Sequence, residues 1–172
     1  MAELLTLPPP MDAIVGMAAI PGIAIESSVL VTQSGPDADL GPEGAGAVLM
    51  LQATFTDEER AARFWEAAVV LMELLASAPG FIRRYSFPDG PAITLIALWR
   101  TVGDAKAFAA GPEHRAAVRD LYAQRWQHTH FSAIWELVSN HGRIAFCECG
   151  ATAPAADAVC GACGASLVVT SA

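Results

Sequence analysis

Four cysteines fall within the last 26 residues of a 172-residue chain, as Cys147-Glu-Cys149-Gly, nine intervening residues, then Cys160-Gly-Ala-Cys163-Gly. Two close pairs joined by a short loop let four thiolates converge tetrahedrally on one cation. Gly150, Gly161 and Gly164 let backbone amides turn toward the sulfurs and spread the charge of a tetrathiolate site. The competing chemistry is a pair of disulfides, with a redox role for Cys147 and Cys149 as a third reading. The chain opens Met-Ala-Glu and has no basic residue before Arg60. It shows no secretory or transit signal, which predicts a cytoplasmic protein, and disulfides are rare there. A closed tetrathiolate site favours structural zinc over iron, and the metal would supply folding energy that a small tail cannot draw from a core.

The second pair, Cys160-Gly-Ala-Cys163-Gly, resembles a zinc-ribbon or rubredoxin-type knuckle. The first departs from that pattern, with one residue rather than two between its cysteines. Outside the cluster, the side chains able to do chemistry are Arg83, Tyr85, Trp99, His114, Tyr122, His128 and His130. Arg83 and Arg84 alternate across one strand, so only one of them faces a cavity. His128 and His130, if extended, point to one face as metal ligands would. No carboxylate follows until Glu136, and a solvated edge pair is the better expectation.

The elements that must position these groups occupy residues 47–140. Ala47–Phe55 reads as a buried strand, followed by a capping box at Thr56-Asp57-Glu58-Glu59. The helix it starts runs to Ser77 on a stripe of Phe64, Ala68, Leu71, Met72 and Leu75, and Pro79-Gly80 stops it. Phe81–Phe87 and Ala92–Arg100 are strands about a Pro88-Asp89-Gly90-Pro91 turn. Asp104 caps a short helix ending at Gly111, and Pro112 opens another that runs to Gln127. Phe131–Val138 alternates as a half-buried strand. The order β-α-β-β-α-β predicts an α+β, ferredoxin-like unit. Residues 1–46 form an N-terminal extension: a hairpin of Ala13–Ile20 with Ile23–Val31 about Pro21-Gly22, then a turn-rich linker from Ser34. Residues 141–172 form the four-cysteine tail.

Ten basic residues against 18 acidic ones give a net charge of −8, which excludes a general nucleic-acid binder and an electrostatic membrane anchor. The mean hydropathy of +0.39 raises a membrane reading. Yet the longest uncharged apolar run, Ala13–Ile25, is broken by Pro21-Gly22 and falls short of the roughly 20 residues a span needs. The excess apolar surface is therefore expected to be buried, part of it between subunits.

One stretch carries a family resemblance: Ala78-Pro-Gly-Phe-Ile-Arg-Arg-Tyr85, then Leu98-Trp-Arg100, then Ala107-Phe-Ala-Ala-Gly-Pro-Glu-His-Arg115. In order and spacing it resembles the antibiotic biosynthesis monooxygenases over residues 47–140. The resemblance implies a homodimeric α+β barrel, two ferredoxin-like sheets closing around a pair of cavities. It also implies cofactor-independent oxygenation of a small aromatic or polyketide-like substrate, with Trp99, His114, Arg83 and Tyr85 as the catalytic set and no organic cofactor. Haem-degrading relatives use an Asn, a Trp and a His where this chain has Gln52, Phe108 and Ala117, so haem is disfavoured. The alternatives are a barrel that holds a hydrophobic ligand or haem without turnover, and an interaction protein that docks partners through a zinc ribbon.

Overall fold

Strand alternation, a helix between strands and a second helical stretch before the last strand give a single antiparallel sheet with helices on one face. The fold is that of a computed structural model, described over residues 31–167. Apart from Val31, the hairpin expected from Ala13–Ile20 and Ile23–Val31 lies outside the described residues. The strands are β1 (Val31–Ser34), β2 (Ala47–Phe55), β3 (Phe81–Asp89), β4 (Ala92–Trp99) and β5 (Gln127–Glu136), in the order β1-β3-β4-β2-β5. All pairs are antiparallel. Without β1 this is the strand order of the ferredoxin-like unit. Val31–Ser34, from the end of the expected hairpin to the start of the expected linker, instead joins the sheet along β3, and Gln33 Nε2 donates to the Met72 carbonyl at 2.7 Å.

Three helices, α1 (Glu58–Ala76), α2 (Val102–Ala110) and α3 (Pro112–Ala123), cover one face. Their apolar residues build two clusters with that face of the sheet. One joins Leu75 and Ala105 to Ala47, Phe81, Ala97 and Trp99; the other joins Phe64, Ala68 and Leu121 to Ala53, Phe55 and Ile93. None of the described helices is long and apolar enough to cross a membrane.

Several boundaries differ from expectation for local reasons. Asp57, not Thr56, caps α1, its carboxylate accepting from the Arg60 amide at 2.8 Å. Thr101, not Asp104, caps α2, and its hydroxyl both accepts from the Asp104 amide and donates to the Asp104 carboxylate. Helix α3 ends at Ala123 rather than Gln127 because Arg125 turns to φ 53°, so β5 starts at Gln127, ahead of the expected Phe131. In the turn before β3, Gly80 has φ +80°, and a Cβ there would run into the Asp104 side chain.

Residues 138–167 form the described part of a second compact unit. Strands β6 (Ile144–Phe146) and β7 (Thr152–Pro154) make one small hairpin, and an isolated bridge between Val159 and Ser166 closes another.

Candidate functional site

A cavity of about 520 Å³ lies between the sheet and the helices. Its walls are mostly apolar, from Leu49, Leu51, Ile93 and Leu95 on the sheet to Phe64, Leu71 and Met72 on α1. Into this apolar space the fold places a few polar groups. On α3, His114, Val118 and Tyr122 recur at intervals of four and share the face that lines the cavity. Arg84, Trp99, His130 and Ser132 line it from the sheet.

His114 is half-buried, with Nδ1 3.2 Å from the Ala109 carbonyl and its ring 4.6 Å from that of Phe108. A carbonyl only accepts, so Nδ1 carries the proton and Nε2 is left as the ring's acceptor. Burial lowers the imidazole's pKa below its usual 6.5 and outweighs the opposing bond to Ala109. The ring is therefore neutral near pH 7 and can take a proton. Phe108 also packs on Trp99, centroids 5.3 Å apart, which links the indole to the imidazole through one intervening ring. At the far end of the α3 face, about 12 Å from His114 at 1.5 Å per residue, the Tyr122 hydroxyl lies 3.1 Å from His130 Nε2. Both side chains are partly exposed, and partial desolvation lowers the His130 pKa and raises that of Tyr122.

Trp99 is 1 % exposed, and its Nε1 has no hydrogen-bond partner. Arg84 is 3 % exposed, and its Nε is likewise unpartnered. No carboxylate pairs with Arg84 among the described residues, and burial alone pulls its pKa down to about 10.

Of the four expected catalytic residues, the fold brings Trp99 and His114 to the cavity and leaves Arg83 and Tyr85 on the opposite face of the sheet. Arg83 pairs with Leu98 and Tyr85 with Ile96, whereas Arg84 pairs with Ala97, which lines the cavity. The cause is a bulge between Phe81 and Arg83. Phe81 faces the helices opposite Trp99; one extra residue then reverses the parity, so that Ile82 is buried too and Arg84 takes the inward position. The signal in the sequence is Ile82, an apolar residue whose burial beside Phe81 is incompatible with strict alternation.

Gln52 lies on the outer face and bonds Thr94 at 3.4 Å, and Ala117 does not line the cavity. Neither position offers a haem ligand. His128 and His130 lie in β5 with no third ligand, the four cysteines being the sole group of three or more such side chains among the described residues.

Those cysteines converge: their four sulfurs lie within 4.8 Å of one another, with Cys147 to Cys163 at 3.6 Å and Cys149 to Cys160 at 3.7 Å. These are free thiols, not disulfides. A tetrahedron with metal–sulfur bonds of about 2.3 Å has sulfur–sulfur edges of about 3.8 Å, so the two contacts match the edges of a tetrathiolate site. The two knuckles are built alike. Gly164 donates to the Cys160 carbonyl and the Cys160 amide to Ala165; in the first knuckle Gly150 donates to Cys147 and Cys147 to Ala151. Each of these bonds spans one residue fewer in the first, which absorbs the shorter cysteine spacing. Amides of Ala162 and Cys163 hold the Cys160 thiol down at about 7.

The described fold is thus the ferredoxin-like α+β class seen in solved structures of antibiotic biosynthesis monooxygenases. One such protein, assigned to that group, from Deinococcus radiodurans, superposes with a TM-score of 0.50 at 13% identity, over 56% of this chain and 97% of its own. SnoaB, a cofactor-independent oxygenase from Streptomyces nogalater, gives 0.48 at 17% identity over 58% of this chain and 100% of its own. A monooxygenase from Streptomyces coelicolor, solved with nanaomycin D, gives 0.48 at 16% over 56% and 91%. No protein-family model and no curated protein sequence matches the chain.

Proposed function

We propose that the cavity oxygenates a small, electron-rich aromatic or polyketide-like substrate without an organic cofactor. The observation that carries this is a neutral imidazole, held through Nδ1, on the wall of an apolar cavity that also presents an unpartnered indole N–H. His114 Nε2 takes the acidic proton of a phenol or quinol-type substrate. Trp99 Nε1–H donates to the oxygen where charge develops. An unmade buried donor costs about 1–3 kcal/mol in the free protein, and that bond is recovered only when a ligand arrives. The apolar walls keep water from the anion, which then passes an electron to dioxygen. The atoms balance without added reductant: the substrate loses two hydrogens and gains one oxygen atom, and the second oxygen leaves as water.

The outer face of the sheet is proposed to pair with a second copy of the chain, which closes a dimeric barrel with Arg83 and Tyr85 inside the interface rather than in the cavity. The four cysteines are proposed to hold one structural zinc ion.

Incubation with a panel of anthrones and naphthohydroquinones under labelled dioxygen tests the oxygenation. The expected outcome is one labelled oxygen per product, with oxygen uptake slowed about 10²–10⁴-fold in His114→Ala, the usual span for a general base. Panel compounds that bind but show no label and no uptake would overturn it.

A further inference from the structure

The oxygenation reading uses His114 and Trp99 and leaves the most costly group in the cavity without a role. Arg84 is 3 % exposed, lines the cavity, has an unpartnered Nε and meets no carboxylate among the described residues. A buried charge is normally paired or hydrogen-bonded, because stripping its water costs several kcal/mol. Here the chain is one residue out of step at a bulge, and that bulge is what aims the guanidinium inward. Two strand positions on, Ser86 is 0 % exposed with an equally unpartnered Oγ, and it pairs with Leu95, a lining residue. One strand over, Trp99 adds its own orphan donor. Three buried donors without acceptors sit on adjacent strands β3 and β4; the open acceptor nearest in register, Oε1 of Gln33 opposite Arg84, is neutral, and no described acidic side chain lines the cavity. A neutral ligand would leave the cation unpaired. The missing partner is an acceptor with full negative charge.

We infer that Arg84, with Ser86 and Trp99, forms an oxyanion subsite, and that the natural ligand is an aromatic compound carrying a carboxylate or an acidic phenolate or enolate. This deepens the oxygenase reading by naming a substrate class, but it does not depend on turnover. A planar guanidinium presents two parallel N–H groups to a planar oxyanion, a match that a neutral hydroxyl cannot make. The apolar cavity removes competing water, so the pair is stronger there than at a surface.

Calorimetric titration of the full chain with isosteric probes tests the subsite. 2-Naphthoate is expected to bind about 10- to 100-fold more tightly than 2-naphthamide, the range for a charge-assisted hydrogen bond. In Arg84→Met the preference falls to about onefold, while 2-naphthamide binding changes little. 4-Nitrophenol distinguishes the two sources of charge. If a phenolate is the fitted group, its visible ionisation shifts to lower pH on binding wild type and not on binding Arg84→Met; if only 2-naphthoate shows the preference, the ligand is a carboxylate. Thermal unfolding supplies the second readout. Removing an uncompensated buried charge is expected to raise Tm in Arg84→Met, whereas an arginine kept for packing would lower it. Equal affinity for 2-naphthoate and 2-naphthamide in wild type, or a lowered Tm with the preference retained in Arg84→Met, would overturn the proposal. Failure to oxygenate any substrate would leave the probe result intact, so the two readings fail separately.

Discussion

The proposed base, His114, has few partners in the fold. No carboxylate is among the groups that shift its pKa; the Ala109 carbonyl lies on Nδ1 and the Phe108 ring against its face. Burial therefore dominates, and the folded pKa lies below the unfolded value of 6.5. The sign of the pH effect follows. The active form is the neutral ring, so kcat/KM is expected to hold down to pH 6.5 and to fall on an acid limb below it. Because the folded state resists protonation, His114 and His130 contribute stability that is present above pH 6.5 and lost as pH falls through their lowered pKa values. His114→Asn should abolish the acid limb along with most of the rate. It should also flatten the decline in Tm between pH 7 and 5. A rate profile whose acid limb lies above pH 6.5 would assign the base elsewhere.

At the level of elements, what was legible in the sequence was periodicity and punctuation. The β-α-β-β-α-β order, the α1 stripe and the Pro79-Gly80 stop all follow from spacing. What was not legible depended on single competing groups. Thr56 and Asp57 are both good caps, and the choice between them turned on which side chain reaches the Arg60 amide. The Phe81–Arg83 bulge exchanged Arg83 for Arg84, because alternation read from Phe81 cannot register one inserted residue. The knuckles went the other way. The short Cys147–Cys149 spacing suggested a different geometry, but Gly150 and Gly164 adopt the same left-handed conformation, φ 87° and 73°, at matching points in each turn. Nothing lies within 4 Å of a Cβ built on either glycine, so substitution there acts through backbone conformation alone. Gly164→Ala should cost about 1–2 kcal/mol for a left-handed L-residue. Since metal binding and folding are coupled in such a site, the loss should appear as roughly 5- to 30-fold weaker zinc affinity in a chelator competition. Native mass spectrometry should show one zinc per wild-type chain. An apo protein after zinc loading would remove the metal reading.

For the whole molecule, the apolar excess that first raised a membrane reading acquires a location. The helices and the cavity take one face of the sheet. The other carries three cross-strand rows: Trp135, Val48, Leu98 and Arg83; Ala133, Met50, Ile96 and Tyr85; and Phe131, Gln52, Thr94 and Phe87. Phe131 is 49 % and Trp135 46 % exposed on this face, a high cost for edge-strand aromatics in a lone chain. Four strands at about 4.8 Å spacing and about 3.3 Å per residue make a face of roughly 500 Å². Two copies together would bury about 1,000 Å², the lower bound for a specific interface. The large aromatics at its β5 edge are the residue types that carry such contacts. Trp135→Glu should therefore raise the dimer dissociation constant at least about 30-fold, the equivalent of a 2 kcal/mol hot spot. The sheet's circular dichroism should be unchanged, because the residue is already half in solvent. Sedimentation equilibrium measures this directly. A wild-type chain that remains monomeric at tens of micromolar would leave the outer face without its proposed partner and Arg83 and Tyr85 without a role in the interface.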